Sequence, residues 1–439
     1  LLNYWLEIPL WFRYVLLALV SLFAASPINW AIYSLAYGYR PISPWSRYWQ
    51  QCLEKMTPDD EVTRWRSVLE RRRWWNFLPL AGWLSLRHEQ SLHGRWFWLR
   101  PMLMEVGFAV AACALYWHFT QTGRAVPFAF ADFLSDPKLS QWLHTLFVVH
   151  WILLGFMLVA TFIDFDEQTV PDAITVPGTL TALVLASFTY QLFLPVTQGR
   201  DGVIALEPVL INSPESWNTE WNSPRGLIVG LLLYTAWCLA LSHRRFIGRR
   251  GWAKGIRYFI AGWLRYTTWK WLIPVWIGGL SGIVAVYQWG GMHWNGLLSS
   301  LLGMAIGGAA VWGVRIIAGA AMRQEAMGFG DVTLMAMIGA FIGWQGSLLA
   351  FMLAPMTAIV IVLIQYAVTR NRAVPFGPYL CAGAFVTVWN WQSLWDGYGA
   401  PAFSLGPILP MILISLLCLM GVMLVCWRWI KETFIYGDG

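Results

Sequence analysis

Two carboxylates stand out by their neighbours. Asp331 closes the run Met327-Gly328-Phe329-Gly330-Asp331, and an uncharged stretch, residues 332–341, follows it within an apolar sequence that reaches Ala367. Asp164 opens the other segment, Ile163-Asp164-Phe165-Asp166-Glu167-Gln168-Thr169-Val170-Pro171-Asp172. An ionisable group at the mouth of an apolar span is costly to keep there and marks a functional site by default. Glycines on either side of Phe329 let the backbone turn tightly and approach another backbone closely. Two carboxylates brought together share one proton, so one serves as general base toward water and the other as general acid toward the substrate. Such a pair titrates with two macroscopic pKa values that belong to neither residue alone. That chemistry suits peptide hydrolysis without a metal or a nucleophilic side chain. The chain has no GxSxG, no HExxH and no cysteine beside a convincing histidine partner. Helix capping explains the same two aspartates, with Asp331 standing where the N-cap of the following helix would fall. On composition alone the two readings are equal.

The elements that must position these groups are membrane helices. Of 439 residues, 58% are hydrophobic and only 12% charged, which is outside the range of soluble domains. Apolar windows of about 20 residues recur along the chain, and this length fits helices and excludes barrel strands. Many of the 31 Trp lie at window ends, where indole favours the interface. The net charge of +7 reads as topology, because the positive residues concentrate in alternate loops. The cysteines Cys52, Cys113, Cys238, Cys381, Cys418 and Cys426 form no CxxC pair and read as small apolar residues.

The expectation is an all-α, polytopic helical membrane protein of about 10 or 11 spans with a basic cytoplasmic loop after the first. Spans are expected at residues 10–37, 101–121, 142–163, 173–195, 226–241, 271–289 and 297–320. Two tight spans then follow Asp331 and turn near residues 343–346, with further spans at 379–391 and 405–427. The first window is too long for a cleavable signal and stays as a span. Residues 38–100 carry Arg64, Arg66, Arg71, Arg72, Arg73, Arg87, Arg95 and Arg100, which puts that side in the cytoplasm. The run Arg71-Arg72-Arg73-Trp74-Trp75 reads as an interfacial anchor, and His88 and His93, with no cysteine near, as no metal site. A second basic cluster runs from Arg244 to Lys270, where residues 257–265 could form an amphipathic surface helix or a plain loop. Residues 197–225 read as an irregular, acid-tilted outer loop, and Arg315 as a snorkelling cation near the inner end of its span. Four crossings separate Asp164 from Asp331. An even number returns both to one side, and the charge bias makes that side cytoplasmic.

These residues resemble a known family. The segment from Ile163-Asp164 to Val170-Pro171-Asp172 looks like the first aspartate motif of the bacterial type IV prepilin peptidases. Gly328-Phe329-Gly330-Asp331, with Leu334 and Gly339-Ala340-Phe341-Ile342-Gly343-Trp344-Gln345, looks like the second, and Pro375-Phe376-Gly377-Pro378-Tyr379-Leu380 resembles the third signature. Residues 79–84 and Arg100-Pro101 with Glu105 match the end of that family's cytoplasmic loop. The resemblance implies an intramembrane aspartic endopeptidase of the GxGD type that cuts the short basic leader from prepilins or pseudopilins. Carried over, Asp164 and Asp331 are the catalytic pair. Asp166, Asp172, Gly328, Gly330, Pro375 and Gly377 support them.

The chain departs from the family pattern, with an extended outer loop and a large second basic loop as additions and two differences in residues. Bifunctional members carry two CxxC pairs in the first cytoplasmic loop and also N-methylate the new terminus with S-adenosylmethionine. Here that loop holds only Cys52, which removes the zinc site and the basis for expecting methyltransferase activity. Thr333 also stands where the family often has lysine. The implied organisation is a first span (1–37), a basic cytoplasmic loop (38–100) and a membrane-embedded peptidase region (101–439) with motifs at 163–172 and 328–345. No metal, cofactor or nucleic acid is expected. The partners are prepilin-type substrates and the lipid bilayer, and the location is the cell inner membrane with the site facing the cytoplasm. Two other readings compete. A presenilin-like protease would show Tyr-Asp and Pro-Ala-Leu motifs, where this chain has Ile163-Asp164 and Pro375-Phe376-Gly377-Pro378. A transporter or assembly factor using carboxylates as a proton relay would place them near the bilayer midplane.

Overall fold

The structure, a computed structural model, describes residues 2–36, 73–127, 130, 136–200, 203–242, 269–324, 327–369 and 375–435. Cys52, the Arg64–Arg72 part of the first basic loop, the second basic cluster between residues 243 and 268, and Arg370 and Arg372 lie outside them.

Among the described residues, eight helices are long and apolar enough to cross a membrane. They are α1 (Leu10–Ser34), α2 (Leu99–Thr120), α3 (Pro137–Glu167), α5 (Pro224–Leu241), α6 (Trp269–Trp289), α7 (Gly291–Met322), α8 (Phe329–Thr369) and α10 (Ile408–Ile430). Two shorter apolar helices are α4 (Asp172–Phe188) and α9 (Gly377–Trp389). The architecture is therefore all-α and polytopic. Helix α8 is broken at Gly343, whose φ of 77° suits a residue without a Cβ. It thus forms two rods, with the turn where the sequence reading placed it.

By its contacts the chain divides into two compact units. The first comprises Leu1–Thr175 and Ala354–Phe385. Here α1, α2 and α3 pack together around Ile32, Tyr33, Met104, Val159 and Ile163, with Ile174 from the start of α4. Helix α3 begins on a cap: Asp136 accepts from the Leu139 N–H at 3.2 Å, and Pro137 follows it. It ends where Gln168 turns left-handed at φ 55°, and its N–H meets the Asp164 carbonyl at 2.8 Å. Glu105, inside α2, is buried and gathers three donors. Asn29 Nδ2 (3.1 Å) and Trp83 Nε1 (2.7 Å) donate to Oε1, and the Leu80 N–H (2.8 Å) donates to Oε2. The short helix Ala81–Ser85 is thereby fastened to α1 and α2.

The second unit comprises Val176–Leu353 and Val386–Gly439. Its centre is the crossing of α7 with the first rod of α8. A Cβ on Gly303 would run into the Gly339 carbonyl, and one on Gly339 into the Gly303 carbonyl. Ser300 Oγ donates to the Ala340 carbonyl at 2.7 Å. Small residues thus let two backbones meet, as helix association in lipid requires.

Residues 197–225 were expected to be irregular. They instead begin within a hairpin, β1 (Pro195–Arg200) antiparallel to β2 (Val203–Pro208), with Thr197 opposite Leu206. The Asp201-Gly202 dipeptide, followed by Val203-Ile204, is the local signal for such a connection. After the hairpin, the carbonyls of Leu210 and Ile211 accept from Gln345 Nε2 (2.6 Å) and Trp344 Nε1 (2.9 Å). The loop therefore latches the break in α8.

Candidate active site

Asp164 lies in the last turn of α3 and is 3% exposed. Its Oδ2 accepts the Gly377 backbone N–H at 2.9 Å. Gly377 is the first residue of α9, so the carboxylate caps a helix 213 positions away rather than its own. The positive dipole end of α9 suits an anion there. A Cβ on Gly377 would lie 2.5 Å from that same oxygen and 3.3 Å from Val170 Cγ2, so only glycine fits. Pro375, half-buried, stands just before this turn.

Two residues along α3, Asp166 takes both of its oxygens to Arg100 Nη1, each at 2.9 Å. The Arg100 guanidinium also lies 5.1 Å from the Phe162 ring centre. Asp166 therefore ties the start of α2 to the end of α3. Asp172 is exposed in the first turn of α4.

Asp331, in the second unit, is 7% exposed. The sequence reading placed it at the N-cap of its helix, but α8 begins two residues earlier, at Phe329. Asp331 is therefore in the first turn, at the positive end of the helix dipole, which favours a carboxylate. Gly328 leaves room beside it: a Cβ there would lie 3.6 Å from Asp331 Oδ2, an ordinary contact. The Gly330 carbonyl accepts from Thr333 Oγ1 at 3.0 Å. Trp237, Ala240, Ala309, Trp312, Phe329 and Thr333 border an apolar groove of about 390 Å³ next to this turn.

The structure thus brings Asp164 to Gly377 and Asp331 to Gly328. Among the described residues no group of three or more His, Cys, Asp or Glu is placed to hold a metal ion. His93 Nε2 lies 3.2 Å and His88 Nε2 4.0 Å from the buried Glu89 carboxylate. The roles of Glu105 and Arg100 were not read from the sequence, although an acid inside an apolar window was a visible signal.

Residues 263–363 match the family model described as the type IV leader peptidase family. That stretch of the chain is similar to the family. Similarity to individual proteins agrees. The prepilin leader peptidase/N-methyltransferase of Xanthomonas campestris pv. campestris is 34% identical over 121 residues, covering 24% of this chain and 42% of that protein. The protein of the same name from Stutzerimonas stutzeri is 33% identical over 100 residues, 22% of this chain and 35% of the relative. A type 4 prepilin-like proteins leader peptide-processing enzyme of Escherichia coli is 28% identical over 139 residues, 27% and 50%. The chain thus spans half or less of the length of these relatives. No solved structure matches. The region matched by the leader peptidase model contains the Gly328–Asp331 turn and the break at Gly343, whereas Asp164 and Gly377 lie outside it.

Proposed function

We propose that this chain is an intramembrane aspartic endopeptidase that removes the leader of prepilins or pseudopilins at the cytoplasmic face of the inner membrane. The observation that carries the reading is the pair of buried carboxylates in the two aspartate motifs, each set against a helix N-terminus and a glycine. The leader peptidase match over residues 263–363 supports the role of Asp331. Among the described residues four apolar helices, α4 to α7, lie between the aspartates, and an even number supports a shared face.

In the proposed reaction the ionised member of the pair takes a proton from water as the water oxygen attacks the scissile carbonyl carbon. The protonated member gives its proton to the carbonyl oxygen, forming a neutral gem-diol. Collapse of the diol breaks the C–N bond: one diol hydroxyl returns its proton to the carboxylate that had donated one, and the proton first taken from water goes to the leaving amine. Both carboxyls end with the proton shared as before, so nothing else is consumed. The Gly377 N–H holds one oxygen of Asp164 and leaves the other for water. Asp166, through Arg100, steadies the helix end on which Asp164 sits. The relatives named above also carry methyltransferase in their names, but the proposal for this chain stops at cleavage, since residues 38–100 offer one cysteine.

The test is processing of a co-expressed prepilin. Asp164→Asn and Asp331→Asn keep size and most hydrogen bonding but lose the titratable proton. Each should abolish cleavage while the protein still inserts in the membrane, and EDTA should leave the wild-type rate unchanged. Wild-type processing by either variant, or loss with EDTA restored by zinc, would sink the proposal.

A further inference from the structure

We infer that Arg315 is a positioning residue for Asp331: from α7 it holds the turn Met327–Phe329 and so sets where the Asp331 carboxylate points. The inference rests on the peptidase reading for its catalytic consequence, but its structural half stands alone.

Arg315 sits inside an apolar helix, where a cation is expensive unless it is used. A snorkelling arginine would carry its guanidinium to water. This one donates its Nε–H to the Met327 carbonyl at 2.9 Å, and its guanidinium carbon lies 5.7 Å from the Phe329 ring centre. One side chain thus holds the residue before Gly328 and the residue after it. Gly328 has the widest backbone freedom of any residue type, so a turn built on it needs holding from outside. Thr333 turns its hydroxyl back on the Gly330 carbonyl, which fixes the first turn of α8 internally. The C-terminal end of α7 is itself fastened, because Arg428 of α10 donates to the Ala321 carbonyl. The anchor that Arg315 offers is therefore a fixed one. Lysine could supply the charge but not the Nε–H together with a planar face for the ring.

The experiment uses the full chain in detergent or liposomes, with Arg315→Gln and Arg315→Lys. Cleavage of a prepilin should show kcat reduced by about 10²-fold for Arg315→Gln, the cost expected for a reacting group misplaced by about 1 Å. KM and the thermal unfolding midpoint should stay unchanged, and Arg315→Lys should recover part of kcat. Hydrogen exchange over residues 323–334 should quicken in Arg315→Gln whether or not any substrate is cleaved. Unchanged kcat, a loss confined to KM, or a fall in unfolding midpoint matching the loss of activity would overturn the positioning role. So would unchanged exchange. If Arg315→Gln does not insert, Arg315→Lys carries the same two measurements: intermediate kcat with quickened exchange supports the role, and wild-type values for both overturn it. Should the wild-type protein cleave nothing, the peptidase reading falls, and the exchange result still decides whether Arg315 holds the turn.

Discussion

Adding one methyl group at Gly377 should separate a catalytic aspartate from a purely capping one. In Gly377→Ala the new Cβ would start 2.5 Å from Asp164 Oδ2 and 3.2 Å from its Cγ. An ordinary contact needs about 1 Å more, so the carboxylate must swing away. Doing so lengthens or breaks the 2.9 Å bond from the Gly377 N–H. A hydrogen bond to a charged group contributes about 1.5–3 kcal/mol. Alanine at the first position of α9 offsets part of this through its better helix propensity, by roughly 1 kcal/mol at most. The fold should therefore survive, with thermal unfolding in detergent lowered by a few degrees or less. Catalysis should not, because a reacting group displaced by about 1 Å costs about 10²-fold in rate. The control is Gly328→Ala, whose Cβ would stand 3.6 Å from Asp331 Oδ2 and demand no movement. It should stay within about threefold of wild type on steric grounds. The measurement is initial rate of prepilin cleavage for both variants at equal amounts of folded protein. Full activity in Gly377→Ala would refute the idea that the Asp164 carboxylate must lie where this structure holds it. Equal losses in both variants would refute the claim that room at the two glycines differs.

Other outcomes follow from the same contacts. Asp166→Asn and Arg100→Met should each reduce cleavage partially, and the double variant should lose no more than the worse single one, since both break one pair; additive losses in this cycle would assign them separate roles. Glu105→Gln should destabilise, because three N–H donors converge on the carboxylate and an amide turns one acceptor into a donor. The cost is about 1–3 kcal/mol, seen as earlier thermal unfolding and faster proteolysis within residues 73–98; an unchanged midpoint would count against the network. Bulk placed in the groove beside Asp331, as Ala309→Trp, should slow cleavage of a membrane-inserted substrate more than that of a short peptide ending near the scissile bond, and equal slowing would assign the groove to lipid alone.

What could be read from the sequence divides along a physical line. Window length and the glycine before the second rod of α8 are local properties, so the long apolar helices and the turn near Gly343 were legible. The hairpin was also local, but the Asn, Ser and Pro of residues 197–225 outweighed an Asp-Gly signal followed by Val203 and Ile204. Contacts between distant segments were not legible. No spacing rule links Asp164 to Gly377, or Asn29 and Trp83 to Glu105. The resemblance flagged Pro375–Leu380 as a signature without saying what it does. The structure supplies a reason: the glycine in it is the only residue whose backbone can come that close to Asp164.

Arg315 shows why type and place in the sequence mislead when taken one residue at a time. A cation near the end of an apolar window has one default reading, the snorkelling anchor, because the window says nothing about what lies beside it. Its value depends on where the chain goes after α7, through a turn whose glycines had been read as freedom to pack. Freedom and hold are complementary requirements at such a turn. The absence of side chains at Gly328 and Gly330 leaves the turn with few internal restraints. A site that needs a carboxylate held to a fraction of an ångström must then recruit restraint from a neighbouring helix. Arginine suits that task, since one planar group can bind a carbonyl and lie by a ring at once. Asp164 is held in the same way, by a distant helix, through a backbone N–H donated by α9. In both halves the aspartate is supplied by one helix and its aim by another. Motifs confined to the aspartate's own segment should therefore underestimate how many residues the chemistry requires.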